Sequence, residues 1–299
     1  MNVAECRDLS KKHGRHKALD QLTVTIGENK ITGLVGRNGA GKTTLLKLLA
    51  GFWRPSSGDV RVFSRRPFDD LLVSANTILV DDDLDFPTAL TLKEILEEAG
   101  RFYENWDMAL ADRLFAYFSF QPDQNYASLS KGQQSTFNMI VGLCSRCALT
   151  IFDEPTNGMD AAVRKDFYRA LLKDYLAHPR SIIVSSHHLD EIEELLEDVL
   201  LLEDGHNYLH MPVEELKEYA VSLSGPFEAV SAWTRNRDVM YSKQTEAGMY
   251  AVVKHDFSTD EWEQMRRAGI RAEAVSPGDV CVYLTDSTKG EIDDVFDKA

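Results

Sequence analysis

Residues 36–44 read Gly-Arg-Asn-Gly-Ala-Gly-Lys-Thr-Thr, set between the apolar run Ile31-Thr-Gly-Leu-Val35 and the run Leu45-Leu-Lys-Leu-Leu-Ala50. The order is buried strand, glycine turn, helix, with Gly51 as the helix stop. Gly36, Gly39 and Gly41 lack Cβ atoms, so the backbone can turn tightly and aim successive N–H groups at one point. A helix opening near Lys42 adds its positive dipole end at the same place. This is the pattern of a phosphate-binding loop, in which Lys42 bridges the β- and γ-phosphates of a nucleotide and the Thr43 hydroxyl ligates Mg²⁺.

Working outward, the apolar strand Ala148-Leu-Thr-Ile-Phe152 ends in Asp153-Glu154. Carboxylates at the carboxyl end of a buried strand lie where open α/β sheets hold their ligands. Asp153 suits the water shell of Mg²⁺, and Glu154 suits the orientation and partial deprotonation of an attacking water. A second strand, Ser181-Ile-Ile-Val-Ser185, ends at Ser186-His187-His188; adjacent side chains diverge, so at most one histidine points at the phosphate. The stretch Leu129-Ser-Lys-Gly-Gln133 precedes a helical run from Ser135 to Arg146, which places Ser130 and Gly132 at a helix N-terminus. Taken alone, that stretch is an ordinary helix start.

The chain has 299 residues, 43% hydrophobic and 27% charged, enough for one large or two smaller domains. No stretch approaches the ~20 uninterrupted apolar residues of a membrane span, and the start is not a secretory signal. A cytoplasmic protein is expected, with any membrane role exercised through a partner. A net charge of −15 and the lack of a basic run with interleaved aromatics argue against nucleic acid as a partner. The same charge opposes a nucleotide, so the site needs local neutralisation by Lys42, Mg²⁺ and oriented backbone. Cys144-Ser-Arg-Cys147 has C-x-x-C spacing but no second pair, so both cysteines read as buried helix residues rather than zinc or redox ligands.

Further strands are expected at Val3 to Leu9, around Leu22, Val24 and Ile26, and at Val60 to Phe63 and Ile78 to Val80. Asp81, Asp82 and Asp83 open a loop. Thr91-Leu-Lys-Glu94 is a capping box for a helix to about Tyr103, and a second helix covers Met108 to Phe118. Together they form a lobe at about 88–146. A last strand runs from Asp198 to Glu203, Gly205 turns the chain, and Pro212 to Tyr219 is a short helix. Beyond 220, strands at Val239 to Tyr241, Met249 to Val253 and Val280 to Leu284, with a helix at Asp260 to Ala268, suggest a small α/β appendage.

These residues resemble the ATPase subunit of ATP-binding-cassette (ABC) transporters of the bacterial export or antibiotic-response type, over residues 1–220. Gly36 to Thr43 resembles the Walker A loop, Leu129 to Gln133 the signature sequence, Leu149 to Glu154 the Walker B strand, Asn157-Gly-Met-Asp160 the D-loop, and His187 the switch histidine. The resemblance implies an α/β cassette with a RecA-like core, an antiparallel β subdomain and a helical lobe, followed by the appendage at 221–299. It also implies ATP and Mg²⁺ as cofactors, bound by Gly36, Asn38, Gly39, Ala40, Gly41, Lys42, Thr43 and Thr44, with Asp153 at the metal and Glu154, His187 and Lys42 catalytic. In the family the signature closes over the ATP of a second cassette, so Ser130, Gly132, Gln133 and Asp160 would act across a head-to-tail dimer, formed with itself or a paralogous cassette.

Two departures accompany the resemblance. Where the family stacks an aromatic residue on adenine this chain has His13, a smaller face, from which weaker or less base-selective binding is expected. The family's Q-loop glutamine is absent, and the three aspartates take its place. Asp82, best aligned by spacing, either holds a metal-bound water or belongs to a solvated loop. A helix of the membrane permease would sit in a groove lined by residues 84–104, with Leu84, Phe86, Phe102 and Tyr103 either as exposed contacts or as lobe core. The expected role is the ATP-hydrolysing motor of an exporter, peripheral on the inner face of the cell membrane. A cytoplasmic ABC ATPase with no membrane partner, such as one assisting iron–sulfur assembly, is the alternative. A non-hydrolysing switch is disfavoured by intact Lys42, Asp153, Glu154 and His187.

Overall fold

Parallel strands covered on both faces read as unbroken buried runs. Three such runs, β3 (Ile31–Val35), β6 (Leu149–Asp153) and β7 (Ser181–Ser186) in the numbering below, form the centre of this fold with every residue buried. The structure, a computed structural model, describes residues 2–245 and 248–285. The chain divides into two compact units after His210.

In the first unit β1 (Asn2–His13) pairs with β2 (His16–Gly27), β3 follows, and then α1 (Lys42–Leu49), β4 (Ser57–Val62), α2 (Leu71–Asn76) and β5 (Thr77–Val80). Next come α3 (Leu92–Phe102), α4 (Met108–Tyr117), α5 (Lys131–Ser145), β6, α6 (Ala161–Ala177), β7, β8 (Asp198–Glu203) and β9 (His206–Pro212). The strands form two sheets, an antiparallel one ordered β2-β1-β4 and a six-stranded one ordered β5-β6-β7-β3-β8-β9. In the larger sheet β5, β6, β7, β3 and β8 are parallel. β9 joins the edge through Asp204 and Gly205, both at positive φ as a two-residue hairpin turn requires.

Helix α1 lies in a core of Leu45, Leu46, Leu48 and Leu49 with Leu9, Leu19, Val60 and Ile151, which holds both sheets to it. In the helical lobe Thr91 and Glu94 form on α3 the reciprocal capping box that the sequence foretells, and the structure adds Asp107 as the cap of α4. Phe86, Tyr126, Phe120 and Phe137 pack edge to face inside it.

The second unit contains α7 (Val213–Lys217), β10 (Ala220–Gly225), α8 (Phe227–Thr234), β11 (Val239–Thr245), β12 (Gly248–Lys254), α9 (Thr259–Arg267), β13 (Arg271–Ala274) and α10 (Pro277–Thr285). Its antiparallel sheet, ordered β11-β12-β10-β13, packs Val221, Leu223, Ala251 and Val253 against Val230 of α8 and Met265 of α9.

Several details differ from the sequence reading. The division lies upstream of the boundary expected at 220, because α7 packs on α10 of the second unit. Residues 280–284 are helical rather than extended: Ser276 Oγ accepts from Asp279 N–H at 3.0 Å, Pro277 opens the first turn, and Val280, Cys281 and Thr285 share the buried face. Helix α5 starts at Lys131, ahead of the expected Ser135, since Ser130 is its cap. Cys147 is buried but lies beyond α5, which ends where Arg146 turns left-handed. Residues 246–247 and 286–299, part of the expected appendage, lie outside the described residues.

Candidate active site

Strand register assembles the site. β6, β7 and β3 are neighbours, with Val35 opposite Ser186 and Asp153 opposite Ser185. The residues that follow, Gly36, Glu154 and His187, therefore emerge at one carboxyl edge. A cleft of about 440 Å³ opens there, lined by Arg37, Asn38, Gly39, Gly41, Lys42, Thr43 and Thr44 on one side and Glu154, Asn157 and His187 on the other.

Gly41 caps α1 at φ +104°, and a β-carbon there would sit 2.5 Å from the Ala18 carbonyl oxygen, so neither its conformation nor its surroundings admit a side chain. No side chain caps α1 and no acidic residue stands in its first turn. Its first N–H groups and positive dipole end are thus left for an anion. Lys42 is buried; its Nζ donates to the Gly36 carbonyl at 2.7 Å and lies 3.3 Å from Glu154 Oε1. Gly36 and Ala40 shape the loop without lining the cleft.

Thr43 Oγ1 donates to Asp153 Oδ2 at 2.6 Å, while Ser185 Oγ donates to Asp153 Oδ1 at 2.5 Å. Burial pushes the Asp153 carboxyl above the usual carboxylate range; those two hydrogen bonds pull it back in part, and the charges of Glu154 and Asp81 raise it further. The Glu154 N–H donates to Ser185 Oγ at 2.8 Å, which holds Glu154 at φ +48°, a conformation a non-glycine residue adopts only when its surroundings fix it. Glu154 Oε2 lies 2.5 Å from His187 Nδ1. The His188 ring packs on that of His187, 4.0 Å between centroids.

At the other end of the cleft are His13 and His16, paired across the β1–β2 turn. Trp53 meets His13 edge to face at 4.9 Å and so fixes its ring. Ser130, Gly132 and Gln133 stand elsewhere, outside the lining of the cleft. Gln133 N–H donates to Ser130 Oγ at 3.3 Å and Ser130 N–H donates to Gln133 Oε1 at 2.9 Å, leaving the Ser130 hydroxyl proton free to donate outward. Asp160 caps α6, accepting from Ala162 and Val163 N–H. Neither Asp82, which pairs with Lys131 at 2.8 Å, nor Asp81 lines the cleft, although the charge of Asp81 raises the Asp153 carboxyl.

Sequence reasoning gave Arg37 and Asn157 only as members of their loops, and assigned no role to His16 or Ser185. Ser185 left one signal, a hydroxyl buried in an otherwise apolar strand end. His16 left none, because only the register of β1 against β2 brings it beside His13.

Residues 19–157 match the ABC transporter family. The chain carries an ABC transporter ATP-binding domain. The ABC domain is of an ATPase class, and its architecture is the P-loop cassette fold. The chain is 28% identical over 266 residues to the ABC transporter ATP-binding protein YtrB of Bacillus subtilis (strain 168), covering 89% of this chain and 90% of that one. It is 27% identical over 263 residues to the bacitracin transport ATP-binding protein BcrA of Bacillus licheniformis, 85% of each chain. The ATP-binding cassette MJ0796, solved as a dimer in a post-hydrolysis state bound to ADP and Pi, superposes on the fold with a TM-score of 0.62 at 19% identity, covering 70% of this chain and 98% of that one.

Proposed function

We propose that this protein is the ATP-hydrolysing subunit of a membrane exporter and works as a head-to-tail dimer with two nucleotides held between the subunits. The observation that carries the reading is a division of parts. Lys42, Thr43, Glu154 and His187 line one cleft, with Asp153 bonded to Thr43 behind its wall, while Ser130 and Gly132 sit on a helix end outside it. A second subunit brings its Ser130 and Gly132 to this cleft and completes the contacts to the terminal phosphate. Export is supported by relatives named for bacitracin transport and for SkfA peptide export.

Within each cleft the loop N–H groups and Lys42 hold the phosphates, and Glu154 accepts a proton from the attacking water while His187 fixes the carboxylate's orientation. The Thr43 hydroxyl and Asp153 carboxylate, 2.6 Å apart, fit Mg²⁺, which takes one or two protein oxygens and completes its shell with phosphate and water. Bound there, the metal supplies charge neutralisation of the phosphates. Of the loop aspartates, Asp81 is the proposed outer neighbour of that shell, because its charge raises the Asp153 carboxyl. His13 and His16 face the base.

No described helix is long and apolar enough to cross a membrane, so attachment runs through a permease. An apolar groove of about 590 Å³ lined by Leu84, Phe86, Leu90, Phe102 and Tyr103 is the proposed seat of a permease helix. Phe102 is 66% exposed there, while Phe86 belongs to the lobe's aromatic core. The test is the Glu154→Gln variant, expected to bind ATP without hydrolysing it and to run as a dimer on gel filtration. A variant that stays monomeric at saturating Mg-ATP would falsify the sandwich.

A further inference from the structure

Lys131 opens α5 directly after Ser130 and is the one cation of the stretch 128–134. Its stem passes the neighbouring loop closely, since a β-carbon built on Gly158 would meet Lys131 Cγ at 3.4 Å. Its ammonium lies 2.8 Å from Asp82 Oδ1, and both side chains are about half exposed. The flanking aspartates are engaged elsewhere: Lys47 of α1 is 3.4 Å from Asp81 Oδ2 and 2.6 Å from Asp83 Oδ2. The aspartate loop is thus tied on one side to the helix of the phosphate loop. Its middle carboxylate takes the exposed cation beside Ser130.

We infer that the Lys131–Asp82 ion pair is a latch released by nucleotide. In the separate subunit Asp82 holds the ammonium; when two subunits close, Lys131 leaves Asp82 for the polyphosphate of the nucleotide bound in the opposing cleft. The inference rests on the sandwich reading above and adds a threshold to it. Two chains of net charge −15 repel each other, and each bound nucleotide adds negative charge, so a cation delivered at the contact is needed. A half-exposed carboxylate is a weak partner, worth at most about fivefold in an equilibrium. A polyphosphate carries several charges and accepts charge-assisted hydrogen bonds worth roughly tenfold or more. The exchange is therefore favourable only when nucleotide is present, and Asp82 sets the nucleotide concentration at which it happens.

The two ends of the pair are then expected to act in opposite directions. In the Glu154→Gln background, dimer formation is followed by light scattering against ATP concentration at fixed Mg²⁺. Asp82→Asn is expected to lower the ATP needed for half-dimerisation by about threefold, the share of an exposed ion pair. Lys131→Met is expected to raise it about tenfold, Lys131→Arg to hold it near the parent, and the double change to follow Lys131→Met, since Asp82 acts only through Lys131. Nucleotide affinity of the monomer, measured by equilibrium dialysis, should be unchanged in all four. A bond that only stiffens the fold would shift both single variants the same way, and that result, or shifts under twofold at both ends, overturns the latch. A Glu154→Gln parent that never dimerises removes the sandwich itself, and the latch with it.

Discussion

Glu154 and His187 meet at 2.5 Å, Oε2 to Nδ1, although they stand at the ends of different strands. Because the other oxygen of Glu154 lies 3.3 Å from Lys42 Nζ, the carboxylate is held between a histidine and a buried ammonium. If Glu154 is the base and His187 its orienting partner, His187→Ala is expected to lower the rate of phosphate release about 100-fold or more. Nucleotide affinity should stay within about twofold, since the phosphate-loop contacts remain. Single-turnover hydrolysis and equilibrium binding on one preparation separate the two effects.

Lys42→Met tests the phosphate contact itself. The substitution keeps the apolar stem and removes a charge-assisted donor, so ATP affinity should fall by roughly tenfold to a hundredfold. Stability should fall by about 1–3 kcal/mol at most, because the buried ammonium's bond to the Gly36 carbonyl and its pairing with Glu154 are lost. Binding by calorimetry alongside a thermal melt is the measurement; a large loss of melting temperature with intact affinity would reverse the assignment.

Gly132 packs against the loop after Glu154: a β-carbon there would lie 2.3 Å from the Gly158 carbonyl oxygen, and backbone does not yield as a side-chain tip does. Gly132→Ala should cost about 1–3 kcal/mol by overpacking. It should also displace the loop carrying Asn157, which lines the cleft. Urea titration gives the first effect and the hydrolysis rate the second.

The Asp153 carboxyl is raised by burial, which fixes the sign of a pH effect. A group with a folded pKa above its unfolded one contributes stability below the unfolded value and loses that contribution as pH rises through the folded value. Asp153→Asn has no such loss. Its melting temperature relative to the parent should therefore climb from about pH 4, the ordinary aspartate range, upward and level off once the parent's carboxyl is ionised. A flat difference across that range would show that the hydrogen bonds from Thr43 and Ser185 cancel the burial.

All four cysteines are buried, and none is in a disulfide bond among the described residues. Burial pushes Cys6 up to about 12 and Cys147 up to about 11, and raises Cys144 as well. Thiolate is the reactive form, so native protein at pH 8 should resist alkylation and react fully only when unfolded. Mass spectrometry after a short iodoacetamide pulse reads this directly; rapid labelling of Cys144 or Cys147 would revive the C-x-x-C pair as a reactive site.

Local chemistry made much of the chain legible in advance. Residues 31–50 determine strand, glycine turn and helix among themselves, because each depends on neighbours a few positions away. The capping box at Thr91 and Glu94 and the apolar runs of β6 and β7 are of the same kind. Val280 to Leu284 shows the limit: five mostly apolar residues suit a strand or a helix equally, and the hydroxyl of Ser276 with Pro277 tipped the balance.

What the sequence by itself determined was the set of chemical groups: a phosphate loop, two carboxylates at a strand end, a histidine at another. Only the tertiary structure decided their company, placing Ser185 under both Asp153 and Glu154 and bringing His16 to the cleft beside His13. For Ser185 the physical reason is that parallel strands pair through register between distant segments. One residue of slip turns a side chain to the opposite face, and no local pattern in the chain records that alignment.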